Sequence, residues 1–366
     1  MKENNDNFIR VGITQGDING IGYEVIFKSF LDARMFDGCI PIIYGSPKTA
    51  AYHKKAMNLT LLNLNTVKNA DEAVPGKLNV INCNDDNVRV ELGKSTEVAG
   101  LAAFEALQMA TSDILSQKID VLITAPINKN NIQSDEFKFA GHTEYLMTRA
   151  GAADSLMLMV GENIKVGVVT GHVPVKKISE NITVNGILGK LRMLNKTLIE
   201  DFSIRKPKIA VLGLNPHAGD GGLLGTEEIN IIQPAIAKAN EEKIMAMGPF
   251  PADGFFGRGS HAKFDAVLAM FHDQGLVPFK LLEFENGVNF TAGIPFIRTS
   301  PNHGTAYEIA GKDLASPSSF RAALFLACDI FRNRNQYKSL VANAMKPENV
   351  RVNLGNEGDV DVDFNE

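Results

Sequence analysis

Five of the seven histidines, His142, His172, His217, His272 and His303, sit beside Gly, Pro, Asn or Asp in stretches that read as loops, while His53 and His261 lie in more ordinary polar surroundings. Three of them follow apolar, strand-like runs. Val166–Gly171 ends in His172, Ile209–Leu214 runs into Asn215-Pro216-His217, and Ala266–Met270 leads to His272, Asp273, Gln274 and Gly275. In an open α/β sheet, ligands gather where strands end and loops begin. Three imidazoles from separate strand ends can take a divalent cation and leave positions open for substrate. The gaps of 45 and 55 residues form no local metal motif. Solvated or hydrogen-bonded loop histidines are the plainer alternative.

Other groups could complete a site. Gly141-His142-Thr143-Glu144 reads as a turn into a helix. Thr143 is either the N-cap of that helix, or part of a helix start that holds a phosphate or carboxylate. Lys280, Asn289 and Arg298 lie in Pro/Gly-punctuated sequence and together suit an anionic, polyfunctional substrate. Asp253 and Asp273 are candidates for a catalytic base, or for carboxylates that orient imidazoles. Cys39, Cys83 and Cys328 form no CxxC pair and read as reduced thiols of a cytoplasmic protein.

These residues need elements to position them. Phe8–Thr14 reads as a strand, followed by the glycine turn Gly16-Asp17-Ile18-Asn19-Gly20-Ile21-Gly22 and a helix to about Leu31. The glycine spacing does not fit G-x-G-x-x-G, so the turn reads as a close approach of backbone to a ligand or another segment. Further strands are expected at Cys39–Tyr44, Val121–Thr124, Ser155–Val160, Val166–Thr170, Lys208–Leu214 and Ala266–Met270. Helices are expected at Glu97–Gln117, Glu144–Ala150, Gly186–Phe202, from Thr226, and over Ser318–Arg332. Such alternation argues for an α/β protein with mainly parallel strands. The 366 residues suit about two domains. Net charge is −5, which offers nothing to nucleic acid or an anionic membrane. No apolar run approaches membrane-spanning length, and the polar start Met1–Asn7 lacks a signal-peptide core. Beyond Asn349 the chain turns acidic and reads as a frayed tail or a short edge strand.

The chain resembles the 4-hydroxythreonine-4-phosphate dehydrogenase family of the pyridoxine pathway. The resemblance rests on Gly16-Asp17 with Gly20-Ile21-Gly22, Gly141–Glu144, Leu214–Gly219 (LNPHAG), Gly248–Asp253 (GPFPAD), Phe264–Lys280 and Val288–Lys312. It implies that His172, His217 and His272 bind one divalent cation (Zn, Mg or Co). It also implies that His142, Thr143, Lys280, Asn289 and Arg298 hold substrate. His303-Gly304-Thr305-Ala306 is similar to the adenosine-contacting segment of isocitrate and isopropylmalate dehydrogenases, which bind NAD or NADP without a Rossmann fingerprint. Ile18 and Tyr23 stand where the family's GDPxGIGPE motif has prolines.

The same resemblance implies two α/β/α domains. Residues 1–138 plus 305–366 would form the first, residues 139–304 the second, with the active site in the cleft between them and a homodimer sharing its sites. The implied reaction is oxidation of 4-phosphooxy-L-threonine at C3, followed by loss of CO2. The alternatives are a dehydrogenase of threonate or erythronate 4-phosphate, a phosphate acyltransferase of the same fold, and a ligand-binding relative without activity.

Overall fold

The computed structural model describes residues 8–84 and 88–342. The N-terminal segment Met1–Asn7 and the acidic stretch beyond Asn349 lie outside them. The strands are β1 (Ile9–Thr14), β2 (Cys39–Gly45), β3 (Leu64–Val67), β4 (Leu78–Asn82), β5 (Val121–Thr124), β6 (Leu156–Val160), β7 (Lys165–Thr170), β8 (Lys208–Leu212), β9 (Met245–Phe250), β10 (Ala266–Phe271), β11 (Val288–Ala292) and β12 (Ile297–Pro301). They form one 12-stranded sheet in the order β3-β4-β2-β1-β5-β12-β11-β6-β7-β10-β8-β9. Neighbours are parallel except at β12–β11, β11–β6 and β6–β7. The architecture is therefore the expected α/β fold with a large, mostly parallel sheet.

Helices carry the crossovers that parallel pairing requires. They are α1 (Gly22–Ser29), α2 (Pro47–Ala56), α3 (Glu97–Leu115), α4 (His142–Arg149), α5 (Ile178–Asn181), α6 (Val184–Glu200), α7 (Gln233–Glu241), α8 (Ala252–Gly257), α9 (His272–Leu282) and α10 (Ser318–Ala342). Local chemistry sets several starts. Ser46, Thr96 and Thr183 each accept a backbone N–H from three residues on, at the heads of α2, α3 and α6. All seven residues of β2 are buried, as are five of the six in β10, the pattern of strands covered on both faces. The glycine turn meets another segment of the chain. The Ile21 N–H donates to the Thr305 carbonyl at 3.0 Å, and a Cβ on Gly20 would come within 2.7 Å of the same oxygen.

Some elements differ from the sequence expectation. The strands β3, β4, β9, β11 and β12 were not expected, because Asn, Arg, Thr and Ser interrupt the apolar pattern of four of them and Gly248-Pro249 punctuates β9. The stretch after Met270, read as a polar turn, instead begins α9 at His272, and Pro278 lies inside that helix. Gly275 seats the helix on the sheet: a Cβ there would approach Val166 within 2.8 Å and Ala269 within 3.0 Å. His53, read as lying in ordinary polar surroundings, is only 4% exposed and bonds the Ile18 carbonyl at 2.8 Å.

Candidate active site

A cavity of about 310 Å3 lies against the central strands β12, β11 and β6. Residues just past the ends of β5, β7 and β10 wall it. It brings together His142, Thr143, His172, His272, Lys280, Asn289, Arg298, His303 and Gly304.

Arg298 projects from β12 and is 2% exposed. Its Nε and Nη2 donate to Thr124 Oγ1 at 3.0 and 2.5 Å, and Nη1 donates to Thr291 Oγ1 at 3.1 Å. Burial lowers its pKa to about 10, so it remains a cation at neutral pH. Hydroxyls orient this charge but do not neutralise it. A buried cation without an anion costs several kcal/mol, roughly, unless a ligand supplies the counter-charge.

The first turn of α4 brings His142, Thr143 and Glu144 to the same wall. Tyr145 anchors the helix among Phe104, Phe137 and Phe139, with ring centroids 5.9, 5.6 and 5.5 Å away. Gly141 is the N-cap and no side chain caps the helix, so Thr143 is free to face the cavity. His142 is neutral: burial first, then the charges of Arg298 and Lys129, hold its pKa well below the usual imidazole value. Burial also lowers that of His303. His142 Nε2, Glu144 Oε2, Asn289 Oδ1 and His303 Nε2 are all buried without a hydrogen-bond partner. An unmet buried polar group costs about 1–3 kcal/mol. Four of them on one cavity mark a surface shaped for a polar ligand.

His172 and His272 face each other with ring centroids 6.0 Å apart. His272, Leu276 and Lys280 lie on one face of α9, at the spacing that stacks side chains along a helix. Asp273 Oδ1 is 2.6 Å from His272 Nδ1. Its side chain is 78% exposed and does not line the cavity. Gln274 donates to the Gly213 carbonyl at 2.6 Å and so ties the end of β10 to the loop after β8.

The remaining expected residues lie elsewhere. His217 opens a turn of five consecutive left-handed residues: His217 (φ 53), Ala218 (φ 51), Gly219 (φ 82), Asp220 (φ 43) and Gly221 (φ 66). Buried Glu228 anchors it by accepting from Leu214 N and Asn215 N at 2.7 Å each, and from Asn215 Nδ2 at 3.0 Å. The helix carrying exposed Asp253, α8, packs beside this turn. Neither His217 nor Asp253 lines the cavity. One chain therefore does not assemble the expected three-histidine set. Among the described residues, no group of three or more His, Cys, Asp or Glu is placed to hold a metal. Thr305 and Ala306 do not line the cavity, and the Thr305 backbone packs against the glycine turn.

Sequence reasoning missed Thr124, Lys129, Thr291 and a role for Glu144. Lys129 had a signal, since it closes a polar strand end after β5. Glu144 stands two residues from His142 in a singled-out motif. The two threonines lie inside strands and gave none.

A buried cation, neutral imidazoles and unmet polar atoms beside the strand ends of an α/β sheet make a pocket suited to a small anionic ligand. The family model described as "Pyridoxal phosphate biosynthetic protein PdxA" matches residues 37–327. A Bacteroides thetaiotaomicron protein named 4-hydroxythreonine-4-phosphate dehydrogenase is 53% identical over 344 residues, covering 94% of each chain. A Cutibacterium acnes protein with the provisional name D-threonate 4-phosphate dehydrogenase is 37% identical, covering 88% of this chain and 94% of its own. The crystal structure of 4-hydroxythreonine-4-phosphate dehydrogenase from Klebsiella pneumoniae aligns with a TM-score of 0.76 at 33% identity, over 88% of this chain and 99% of that one. The chain belongs to the PdxA family, and it is a dehydrogenase.

Proposed function

We propose that the protein oxidises 4-phosphooxy-L-threonine at C3 with NAD or NADP. The C3 hydrogen leaves as hydride to the nicotinamide and the hydroxyl proton leaves to solvent. The product, 2-amino-3-oxo-4-phosphooxybutanoate, is a β-keto acid. Its C1–C2 bond breaks with release of CO2, the electron pair passes into the C3 carbonyl as an enolate, and C2 takes up a proton from solvent to give 3-amino-2-oxopropyl phosphate. The observation that carries this reading is Arg298, a buried cation with only hydroxyl partners, facing a cavity whose buried polar atoms are unmet.

Arg298, Lys280 and the α4 start supply positive potential for a phosphate and a carboxylate. His142, Thr143 and Asn289 supply hydrogen bonds to the groups between. His303 and Gly304, from the segment similar to an adenosine-contacting one, border the cavity. For the cation, His172 and His272 fit as two ligands, and His217 of a second copy fits as the third. A divalent cation there would lower the pKa of the substrate hydroxyl.

Apolar surface supports the shared-site homodimer. Val277, Leu281 and Phe284 are 56%, 82% and 76% exposed in and just beyond α9, and Leu223 is 79% exposed beside the His217 turn. A second copy would cover both faces. The sheet has two parallel blocks, β3-β4-β2-β1-β5-β12 and β7-β10-β8-β9, separated by the antiparallel strands β11 and β6; they follow the division into 1–138 with 305–366 and 139–304 except that β12 sits in the first block. Free thiols at Cys39, Cys83 and Cys328 fit a cytoplasmic setting. Among the described residues, no helix is long and apolar enough to cross a membrane.

The name of the Cutibacterium acnes relative favours one second reading, a four-carbon sugar-acid phosphate in place of the amino acid. The test is an absorbance assay for reduced nicotinamide with both substrates side by side, with and without a chelator. The expected result is metal-dependent turnover, fastest with 4-phosphooxy-L-threonine. Faster turnover of threonate 4-phosphate would transfer the assignment to it.

A further inference from the structure

Two charged side chains outside the expected substrate and metal sets flank His172. Glu144 Oε1 lies 3.5 Å from its Nδ1, and Lys129 Nζ lies 3.4 Å from its Nε2. Their hydrogen-bonding capacities are opposite: an ammonium only donates, and an ionised carboxylate only accepts. A neutral imidazole between them has one arrangement that satisfies both. The proton sits on Nδ1, directed at Glu144, and the Nε2 lone pair is directed at Lys129. Free histidine prefers the reverse tautomer, so this arrangement has to be imposed.

We propose that Glu144 is the positioning residue of His172, holding the proton on Nδ1 so that the Nε2 lone pair faces the cavity. The proposal rests on the reading of His172 and His272 as ligands of a cation. It gives each imidazole a carboxylate on its Nδ1 side, Asp273 at 2.6 Å from His272 and Glu144 at 3.5 Å from His172. Carboxylates behind ligating histidines fix ring orientation and raise ligand basicity. Lys129 is the opposing half of the arrangement. Its ammonium occupies the approach to Nε2, so a divalent cation binding there must move it against like-charge repulsion. Two further facts place the Glu144 carboxylate rather than leave it incidental. Its Oε2 is buried without a partner, and it is the carboxylate whose field acts on Arg298. A purely structural role, balancing Arg298, is the rival explanation.

Two measurements separate these. The tautomer is read by side-chain 15N NMR on the full-length, metal-free protein, with His172 assigned by its loss in His172→Gln. Wild type should show Nδ1–H for His172, and Glu144→Ala should shift it toward Nε2–H. Affinity is read by Co(II) calorimetry on the assembled enzyme. Glu144→Ala should bind about 10–100-fold more weakly. Glu144→Gln keeps an oxygen that accepts from Nδ1 and should lose less; it carries the test if the alanine variant does not fold. Lys129→Met should bind several-fold more tightly. Opposite signs from two neighbours of one ring do not arise from lost packing or from balancing Arg298. An Nε2–H tautomer in wild type overturns the proposal. So does a Glu144→Ala variant that keeps wild-type Co(II) affinity. A wild-type protein that shows Nδ1–H but binds no Co(II) overturns the metal reading and still supports the hold of Glu144 on the ring.

Discussion

The cavity and the His217 turn hold imidazoles by opposite means. In the cavity no lining residue has a left-handed backbone, and the energetic cost lies in side chains: a buried guanidinium whose hydrogen-bond partners are all hydroxyls, and four unmet polar atoms. At the His217 turn the polar groups are met, with Glu228 accepting three N–H donors, and the cost lies in the backbone, where three non-glycine residues adopt left-handed φ. A cavity that waits for a ligand must leave groups unsatisfied. A turn that presents one side chain outward, toward another surface, needs rigidity more than unmet valence. On the proposed reading the two regions are the two halves of one shared site, one receiving and one presenting.

The sharpest way to break that comparison is to separate the halves genetically. His217→Ala and His272→Ala should each lower kcat/KM by two orders of magnitude or more, roughly the effect of losing a metal ligand or its close support. Mixed as dissociated and reassociated subunits, they should recover about a quarter of wild-type activity. Half of the dimers are then mixed, and one of their two sites carries both lesions while the other carries none. Mixed dimers that stay at background would mean that each site is built from a single chain.

Within the receiving half, Arg298→Lys keeps charge but loses the planar fork. Substrate KM should rise about 100-fold, in line with the loss of a buried charge-assisted pair, while cofactor binding measured by fluorescence changes little. An equal loss for substrate and cofactor would remove Arg298 from the substrate anion. Arg298→Met should abolish turnover and leave the fold at least as stable in urea, because it removes a buried charge whose hydrogen-bond partners are all hydroxyls.

Acid should act first on buried imidazoles. Burial lowers the pKa of His53 to about 4, and that of His142 well below the ordinary imidazole value. In the unfolded chain such groups titrate near ~6.5. Between those values the unfolded state holds a proton that the native state refuses, so stability is full above ~6.5 and falls as pH drops toward ~4. From His53 alone, about 2 kcal/mol should be lost between pH 7 and pH 5. Urea denaturation at both values measures it, and His53→Gln should flatten the difference. An unchanged slope in that variant would mean that His53 does not resist protonation.

The sequence made the framework legible where patterns are regular. β2, β5, β7 and β10 are apolar runs, and their ends marked His172 and His272. It was less legible where function replaces pattern. β11 and β12 carry Asn289 and Arg298 inward, so these strands lack the alternation that identifies a strand. Gly275 and Pro278 look like helix breakers, yet α9 continues through both because it is seated on β7 and β10. His53 looked ordinary because its burial comes from segments distant in the chain: it stacks on Tyr23 at 4.8 Å and bonds the glycine turn. That His172 and His272 meet while His217 stands apart is a fact of topology that no spacing of 45 and 55 residues encodes.

The smallest effect tests the presenting half. A left-handed conformation costs a residue with a Cβ about 1–2 kcal/mol. Glycine removes that cost but adds about 0.4–1 kcal/mol of unfolded-chain entropy. Ala218 (φ 51) has no hydrogen-bonding side chain to justify its conformation. Ala218→Gly should therefore stabilise the protein slightly, by about 0.5 kcal/mol, where most substitutions destabilise. If the strain serves to hold His217 at a fixed bearing, the same variant should bind Co(II) several-fold more weakly, because the loosened turn presents its imidazole less often in the binding orientation. Stabilisation with unchanged Co(II) affinity would reduce the turn to a tolerated irregularity. Destabilisation would show that the methyl group, which packs against Gly213, is worth more than the relief of strain.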